Sequence, residues 1–368
     1  MVITVLFYIF VAVTGVQLCY YLSFLSFAFH KTHHKEEETS HPVSVIICAK
    51  NEAENLEKLI PLLLKQSYPK FELVIINDAS TDSTLDTIEK FQRKDSRVKL
   101  VNVENNEAFW GNKKYALTLG IKAARYEHLL FTDADCIPAS KNWLQMISAQ
   151  FSETKSIVLG YGQYQAKKYS LVNLLVRYET LLTAIQYFSY AKLGAPYMAV
   201  GRNLAYTKSE FFKVKGFINH MNIRSGDDDL FIKDAATNTN TTISVHPDSF
   251  TISEAPKSVN EWFRQKRRHI STASHYKSTH KFLLGLFYIS KILIWILAPV
   301  LYLITQDYLV LFLLLGYLTI NYLSVGFSAK KLKEIPVLYF LPFLEIFLVL
   351  FQFTIFITNT FSKPTHWK

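Results

Sequence analysis

The chain has 368 residues, half of which are hydrophobic, and only 19% carry a charge, against about 25% in ordinary soluble domains. This composition excludes an intrinsically disordered chain, which needs low hydrophobicity and high charge, and it argues against a purely soluble globule. The net charge is +10, but no Lys, Arg, Asp or Glu precedes Lys31 and few follow Lys281. A charged middle segment therefore lies between two apolar ends.

The first apolar segment, Val2–Phe29, carries no charge and is long enough to cross ~30 Å of hydrocarbon. No basic residue precedes it and no clear small-x-small cleavage site follows it, so we predict an uncleaved membrane span rather than a signal peptide.

The C-terminal third contains three further predicted spans, which are Phe282–Thr305, Tyr308–Phe327 and Val337–Thr358. Lys291 interrupts the first, and we expect its ammonium to snorkel outward to the membrane interface. Glu345 lies inside the last, where a carboxylate is costly unless it faces a partner or a polar cavity. A helix–helix hydrogen bond is a sufficient explanation for Glu345.

The distribution of Lys and Arg predicts the orientation of the spans. Lys330, Lys331 and Lys333 lie between the last two spans, whereas the Gln306–Asp307 turn has no basic residue. We therefore expect the N-terminus outside, the basic middle domain in the cytoplasm, the Lys330 turn inside and the C-terminus outside.

The predicted organisation has a transmembrane helix at 1–30, a cytoplasmic domain at 31–281 and a membrane region of about three helices at 282–368. The protein is expected in the plasma or inner membrane. The three cysteines show neither zinc-site nor disulfide spacing, which fits a reducing cytoplasmic side.

In the middle domain, short apolar runs alternate with segments of helical period. The predicted strands are Val43–Cys48, Glu72–Asn77, Val98–Val103 and Leu129–Thr132. Helices are predicted at Glu52–Gln66, around Leu85–Phe91 and at Lys113–Ala124. This alternation predicts an α/β fold with a doubly wound, mostly parallel sheet. Neither Gly-x-Gly-x-x-Gly nor Gly-x-x-x-x-Gly-Lys occurs at the first strand, so dinucleotide and P-loop sites are disfavoured.

Polar side chains follow three of the predicted strands. Asn51 and Glu52 follow the first, Asp78 follows the second, and Asp133 and Asp135 follow the fourth. Each could be a helix cap or a loop carboxylate, but ligands of open α/β sheets bind at the carboxyl ends of the strands. The last two acids could hold Mg²⁺ or Mn²⁺, which favour carboxylate and phosphate oxygens.

A second acidic cluster comprises Asp227, Asp228 and Asp229. It is typical of a helix N-terminus, where acids favour the dipole, and it could equally supply a general base. The two interpretations are compatible, and mutual repulsion should raise the pKa of at least one of these acids. Asp229, next to the apolar residues that follow, is expected only to cap a helix.

Two further segments have open interpretations. Trp262–His269 is aromatic and basic, which suits either a patch at the membrane surface or a group of cationic side chains that binds phosphate. Nucleic-acid binding could use such a cluster, but the nearby spans argue against it. Ser170–Lys192 is predicted to be a helix, either packed in the core or lying at the membrane surface near a lipid acceptor.

Taken in order, the motifs resemble those of family-2 glycosyltransferases with the GT-A fold. The resemblance extends over about Pro42–Tyr276 and includes processive synthases and ceramide glucosyltransferase-like enzymes. The motifs are Pro42–Glu52, Val74–Ser83, Lys113–Leu117, Thr132–Asp135, Gly201–Asn203, Gly226–Asp229 and Gln265–His269.

The resemblance implies inverting transfer from a nucleotide-diphosphate sugar. Asp135 would bind Mg²⁺ or Mn²⁺ at the diphosphate with Asp133 beside it, and Asp228 would deprotonate the acceptor hydroxyl with Asp227 next to it. The residues implied in binding the nucleotide sugar are Asn51, Glu52, Asp78, Lys113, Asp133, Gln265 and Arg268.

One residue departs from the family pattern. His269 stands where the Gln-x-x-Arg-Trp motif has Trp, which favours a single-addition enzyme over a processive one. We therefore predict a membrane glycosyltransferase acting on a lipid or glycan acceptor and not on nucleic acid. The alternatives are a processive polysaccharide synthase, a nucleotidyltransferase and a non-catalytic membrane scaffold.

Overall fold

The structure is a computed structural model that describes residues 1–30, 41–104, 113–223 and 225–362. These residues form two compact units. A membrane-helix unit contains 1–30, 166–189 and 256–362, and an α/β unit contains the rest. The helices are α1 (Val2–Ala28), α2 (Ala53–Leu64), α3 (Thr84–Lys94), α4 (Lys113–Ala123), α5 (Trp143–Ser148), α6 (Leu171–Lys192), α7 (Lys208–Lys213), α8 (Asp229–Ala235), α9 (Val259–Ile270), α10 (Ser278–Thr305), α11 (Tyr308–Lys331) and α12 (Leu341–Phe361).

A seven-stranded sheet forms the centre of the α/β unit, in the order β3-β2-β1-β4-β8-β6-β9. A second sheet has the order β5-β10-β7. The strands are β1 (Val43–Ala49), β2 (Phe71–Asp78), β3 (Val98–Val103), β4 (His128–Phe131), β5 (Cys136–Pro138), β6 (Ile157–Leu159), β7 (Gly162–Tyr164), β8 (Leu204–Thr207), β9 (Thr241–Ile243) and β10 (Thr251–Ser253).

The four predicted strands are present as β1 to β4 and pair in parallel. β1 and β2 are buried on both faces, as expected of a parallel sheet covered by helices, whereas β3 at the edge of the sheet is partly exposed. β8 lies antiparallel to both β4 and β6. The sheet is therefore mostly parallel, as predicted, with one reversed strand, and β1 and β4 bring their carboxyl ends to the same edge.

Among the residues that the structure describes, four helical segments are long and apolar enough to cross a membrane, in agreement with the predicted number. They are Val2–Ala28, Ser278–Thr305, Tyr308–Lys331 and Ile335–Phe361.

The expectation that Lys291 snorkels to the interface is wrong. Its side chain is buried, with Nζ 3.2 Å from Oε1 of Glu345 and 2.8 Å from the hydroxyl of Tyr21. Glu345 also accepts hydrogen bonds from Tyr317 and, at 2.5 Å, from Nδ2 of Asn321. A carboxylate on α12 thus satisfies the ammonium of α10 inside the helix bundle. Glu345 has the polar partners that its position requires.

The predicted boundary at 31–281 differs from the compact units, because α9 and most of α6 group with the membrane helices. Arg177 of α6 forms a 2.5 Å ion pair with Glu334, and Glu179 forms a 2.6 Å ion pair with Lys266 of α9. These contacts join residues far apart in sequence, which hydropathy cannot indicate. α6 is buried along most of its length, so core packing is confirmed for it, while its position near the membrane surface stays a prediction.

Candidate active site

A small cleft opens at the carboxyl ends of β1 and β4. Three acids from two distant segments line it together with a lysine of α4. The lining residues are Ile46, Cys48, Lys113, Leu117, Phe131, Thr132, Asp133, Gly201, Leu204, Tyr206, Asp227 and Asp228.

Lys113 joins the two acidic segments of the cleft. Its Nζ lies 3.0 Å from Oδ1 of Asp133 and 3.1 Å from Oδ2 of Asp227. Burial opposes the charge on Lys113, but the two carboxylates outweigh that effect and raise its pKa well above the usual value. The cleft therefore contains a permanent cation between two carboxylates that the sequence places almost a hundred residues apart.

Asp228 is held by two backbone N–H groups on the wall of the cleft. Its Oδ2 accepts from Gly201 and its Oδ1 from Asp229, both at 2.8 Å. Burial, followed by the charges of Asp227 and Asp229, raises the pKa of Asp228 to about 7. A carboxyl group with this pKa can exchange a proton near neutral pH.

The expectation that Asp229 caps a helix is wrong by one residue. Asp228 is the N-cap of α8, and Asp229 is the first residue of that helix. Asp229 is buried and its Oδ1 accepts from the N–H of Leu230 at 2.8 Å. Asp229 is thus turned to its own helix, whereas Asp227 and Asp228 line the cleft.

Asp133, Asp135 and Cys136 bring one possible ligand atom each to within 4.8 Å of one another. The two carboxylates suit Mg²⁺ or Mn²⁺, which bind oxygen and leave positions for phosphate. The Cys136 thiol does not suit such an ion, because burial, followed by the charges of Asp133 and Asp135, raises its pKa well above the usual value and keeps it protonated. The residues therefore fit a hard divalent cation on the two aspartates alone.

Asn51 connects the loops that follow β1 and β2. It has a positive φ of 58°. Its N–H donates to Oγ of Ser80 at 3.0 Å, and its Oδ1 accepts from the N–H of Thr81 at 2.8 Å. This bonding holds the two adjacent loops together at the edge where a ligand of an open α/β sheet binds.

Glu52 is the N-cap of α2, and Asp78 is the last residue of β2. The N–H of Glu52 donates to Oγ1 of Thr84 at 2.8 Å, and its Oε2 accepts from Nδ2 of Asn55 at 2.6 Å. Asp78 is buried; desolvation raises the pKa of its carboxyl, while Lys50 and Lys113 act in the opposite direction. The structure thus brings these residues to the sheet edge that carries the cleft, although neither is among the residues that line it.

Gln265 and Arg268 lie on α9, in the membrane-helix unit, and both are half-buried. Between them, Lys266 is paired with Glu179, and Arg267 donates to Oδ1 of Asn359 at 2.8 Å. Two of the cations in this basic segment therefore hold α9 to other helices of its unit. A role for Gln265 and Arg268 at a diphosphate stays a prediction.

Sequence reasoning missed two side chains near the acids. Tyr206 of β8 lines the cleft, and the charges of Asp227 and Asp228 add to the burial that raises the pKa of its hydroxyl. Arg202 is held over the ring of Tyr164, 4.2 Å from its centroid. Only the Gly201–Asn203 motif marked this region in the sequence, because β8 is a short run with no clear alternation.

Comparison with known proteins identifies the family of one segment, which is somewhat less than half of the chain. Residues 44–208 match the family model described as Glycosyl transferase family 2. This segment is a glycosyl transferase family 2 domain. The resemblance predicted from the motifs is confirmed, whereas the likeness to ceramide glucosyltransferase-like enzymes stays a prediction.

Three curated relatives are similar to parts of the domain. An uncharacterised glycosyltransferase of Haemophilus influenzae is 30% identical over 33% of this chain and 36% of its own length. The poly-beta-1,6-N-acetyl-D-glucosamine synthase of Staphylococcus epidermidis is 35% identical over 29% of this chain and 24% of its own. The 4,4'-diaponeurosporenoate glycosyltransferase of Staphylococcus haemolyticus is 27% identical over 50% of this chain and 49% of its own. The chain thus spans less than half the length of these relatives.

A solved structure shows the same fold over nearly the whole chain. It is a mannosyltransferase from Pyrobaculum calidifontis in complex with GDP-Man and Mn²⁺, with a TM-score of 0.57 and 18% identity. The match covers 92% of this chain and 97% of that one. The predicted GT-A-type fold is confirmed.

Proposed function

We propose that the protein is a membrane-bound inverting glycosyltransferase. It moves a sugar from a nucleotide-diphosphate donor to a hydroxyl group of a lipid-linked or membrane-proximal acceptor. The observation that carries this proposal is the cleft itself. It combines the Lys113 bridge between Asp133 and Asp227 with a carboxyl group, Asp228, whose pKa is about 7.

In this proposal Asp228 acts as the general base. It takes the proton of the acceptor hydroxyl as that oxygen attacks the anomeric carbon and the bond to the diphosphate breaks. A single displacement of this kind inverts the anomeric centre. General-base catalysis typically contributes ~10²–10⁴-fold to the rate.

The remaining residues bind and orient the donor. Asp133 and Asp135 would hold Mg²⁺ or Mn²⁺, which neutralises charge on the diphosphate oxygens when bound. Gln265 and Arg268 would bind the leaving diphosphate. The base and ribose would be bound by Asn51, Glu52 and Asp78, with Lys113 nearby.

A processive polysaccharide synthase is the second candidate. The similarity to the Staphylococcus epidermidis poly-beta-1,6-N-acetyl-D-glucosamine synthase favours it. His269, in the place of the motif tryptophan, favours single addition instead. The mass of the product distinguishes the two, because a processive enzyme yields long chains from one acceptor whereas single addition yields one sugar per acceptor.

A donor screen tests the proposed activity. Purified protein in detergent is incubated with UDP- and GDP-sugars, Mg²⁺ or Mn²⁺ and a membrane lipid extract, and the release of nucleoside diphosphate is followed. We expect release with at least one donor, increased by the extract. A non-catalytic scaffold would bind donors without releasing nucleoside diphosphate.

Metal dependence rests on the two aspartates after β4. We expect Asp135→Asn to remove most activity with little effect on folding, because Asp135 is exposed in a loop. EDTA should inhibit the wild-type protein reversibly, with recovery on adding Mn²⁺. Full activity of the variant in the presence of EDTA would refute a metal-dependent reaction.

The proposed location is the plasma or inner membrane with the α/β unit in the cytoplasm. A reporter placed near Lys331 should be cytoplasmic, and one fused after Lys368 should be periplasmic or lumenal, because basic residues stay on the cytoplasmic side. If both reporters are cytoplasmic, one of the four apolar helices does not cross the membrane.

A further inference from the structure

Lys114, the neighbour of Lys113, has its ammonium group inside the α/β unit. The residue is 1% exposed. Its Nζ donates to the carbonyl oxygens of His220 at 2.9 Å, Ile223 at 2.8 Å and Ser225 at 2.8 Å. An ammonium has three N–H donors, and three backbone carbonyls of one loop accept hydrogen bonds from this one.

That loop leads directly into the acidic cluster. Ser225 is followed by Gly226, whose φ of +86° belongs to the left-handed region that glycine adopts readily. Asp227 and Asp228 come next, on the wall of the cleft. The backbone that Lys114 holds is therefore the backbone that sets where the two acids lie.

The helix that carries Lys114 is itself fixed. Ala116, Leu117 and Ile121 of α4 are buried, and α4 packs against β1 and β2. Because α4 is fixed on the sheet, the three hydrogen bonds of Lys114 hold the acidic loop in a defined position relative to β1 and β2. Its neighbour Lys113 holds the side chains of Asp133 and Asp227 from the same turn of the helix.

Packing alone does not account for a lysine at this place. A buried ammonium costs free energy unless its charge is compensated and its N–H groups are bonded. An apolar side chain would fill the same space without that cost. What the ammonium adds is a set of three directed bonds, which specify the loop geometry.

We propose that Lys114 is a positioning residue for the acidic loop, holding Asp228 in the geometry that its role as general base requires. This inference rests on the proposed function. Lys114 does not line the cleft and acts on the reaction through the position of the acidic loop.

The test is a graded series at one position. Lys114→Gln keeps an amide with two N–H donors, and Lys114→Met keeps the length and removes all donors. Lys122→Met, at an exposed position of the same helix, is the matched control. Turnover, binding of UDP and GDP, and amide hydrogen exchange of 221–230 are measured on folded protein.

We expect kcat to fall by ~10-fold for Lys114→Gln and ~10²-fold for Lys114→Met, since misplacement by about 1 Å can cost ~10²-fold. Nucleotide binding should change less than twofold, and exchange of the loop should rise in the same order. The control should match the wild type. If Lys114→Met does not fold, the Gln variant decides.

Two results would overturn the proposal. The first is unchanged loop exchange in the Lys114 variants, which decides the matter even if the wild-type protein transfers no sugar. The second is a loss of thermal stability with kcat unchanged, since this would mean that Lys114 serves folding alone. Absence of transfer by the wild type together with increased loop exchange would refute the proposed function and leave the positioning of the loop established.

Discussion

Asp228→Asn is expected to lower kcat by ~10²-fold or more, with donor binding little changed. The amide has nearly the same shape, but its single oxygen can accept from only one of the N–H groups of Gly201 and Asp229, which bond to different oxygens of Asp228. The amide also loses the ability to take a proton. Turnover and nucleotide binding, measured on the same preparation, separate these two effects.

Asp229→Asn is the matched control, because Asp229 bonds to its own helix and does not line the cleft. We expect that variant to keep most of its activity. If it is inactive while Asp228→Asn turns over normally, the general base has been assigned to the wrong member of the acidic cluster.

If Asp228 is the general base, the activity of the wild-type protein should depend on pH. Burial and the two neighbouring carboxylates raise its pKa to about 7, and a base must be deprotonated to act. The value of kcat/KM should therefore fall as the pH falls through about 7 and level off at higher pH. In Asp227→Asn the acidic limb should move to lower pH, because one of the charges that raise the pKa of Asp228 has been removed.

The second large effect is expected inside the membrane-helix unit. Glu345→Leu leaves the buried Lys291 ammonium without its carboxylate and should lower the free energy of unfolding by about 3–5 kcal/mol. Glu345→Leu/Lys291→Met removes both charges and should be less destabilised than the single variant, since an apolar pair can replace a buried ion pair at little cost.

Thermal unfolding in detergent measures both variants. Leu350→Ala, at a 60% exposed position of α12, controls for the general effect of substitutions in that helix. If the double variant is destabilised as much as Glu345→Leu, the cost does not arise from an uncompensated charge.

The parallel part of the sheet could be predicted closely from the sequence, because each strand is a compact apolar run. The predicted Val98–Val103 strand coincides with β3, and β1 extends one residue beyond its prediction. The acids at the carboxyl ends followed from topology, since parallel strands end at one edge. β8 could not be predicted in this way, because its four residues, Leu204–Thr207, form neither a longer apolar run nor a clear alternation of apolar and polar residues.

Long-range contacts account for what local sequence does not show. Local sequence gives no indication of the partners of Lys291, α6 and α9, because Glu345, Glu334 and Glu179 lie in other segments of the chain. An isolated lysine in an apolar run gives no sign of a carboxylate about fifty residues away. Lys114 was missed for the same reason, because its three acceptors are backbone carbonyls, which leave no mark in the sequence.

Transfer of an isotopically labelled sugar tests the central claim most directly. Wild-type protein and Asp228→Asn, each in detergent with lipid extract and a ¹³C-labelled nucleotide sugar, are compared by mass spectrometry of the products. The account predicts a labelled glycolipid or glycan from the wild type and at least a hundredfold less from the variant. Equal product from both proteins, or no labelled product from the wild type with any donor, would contradict it.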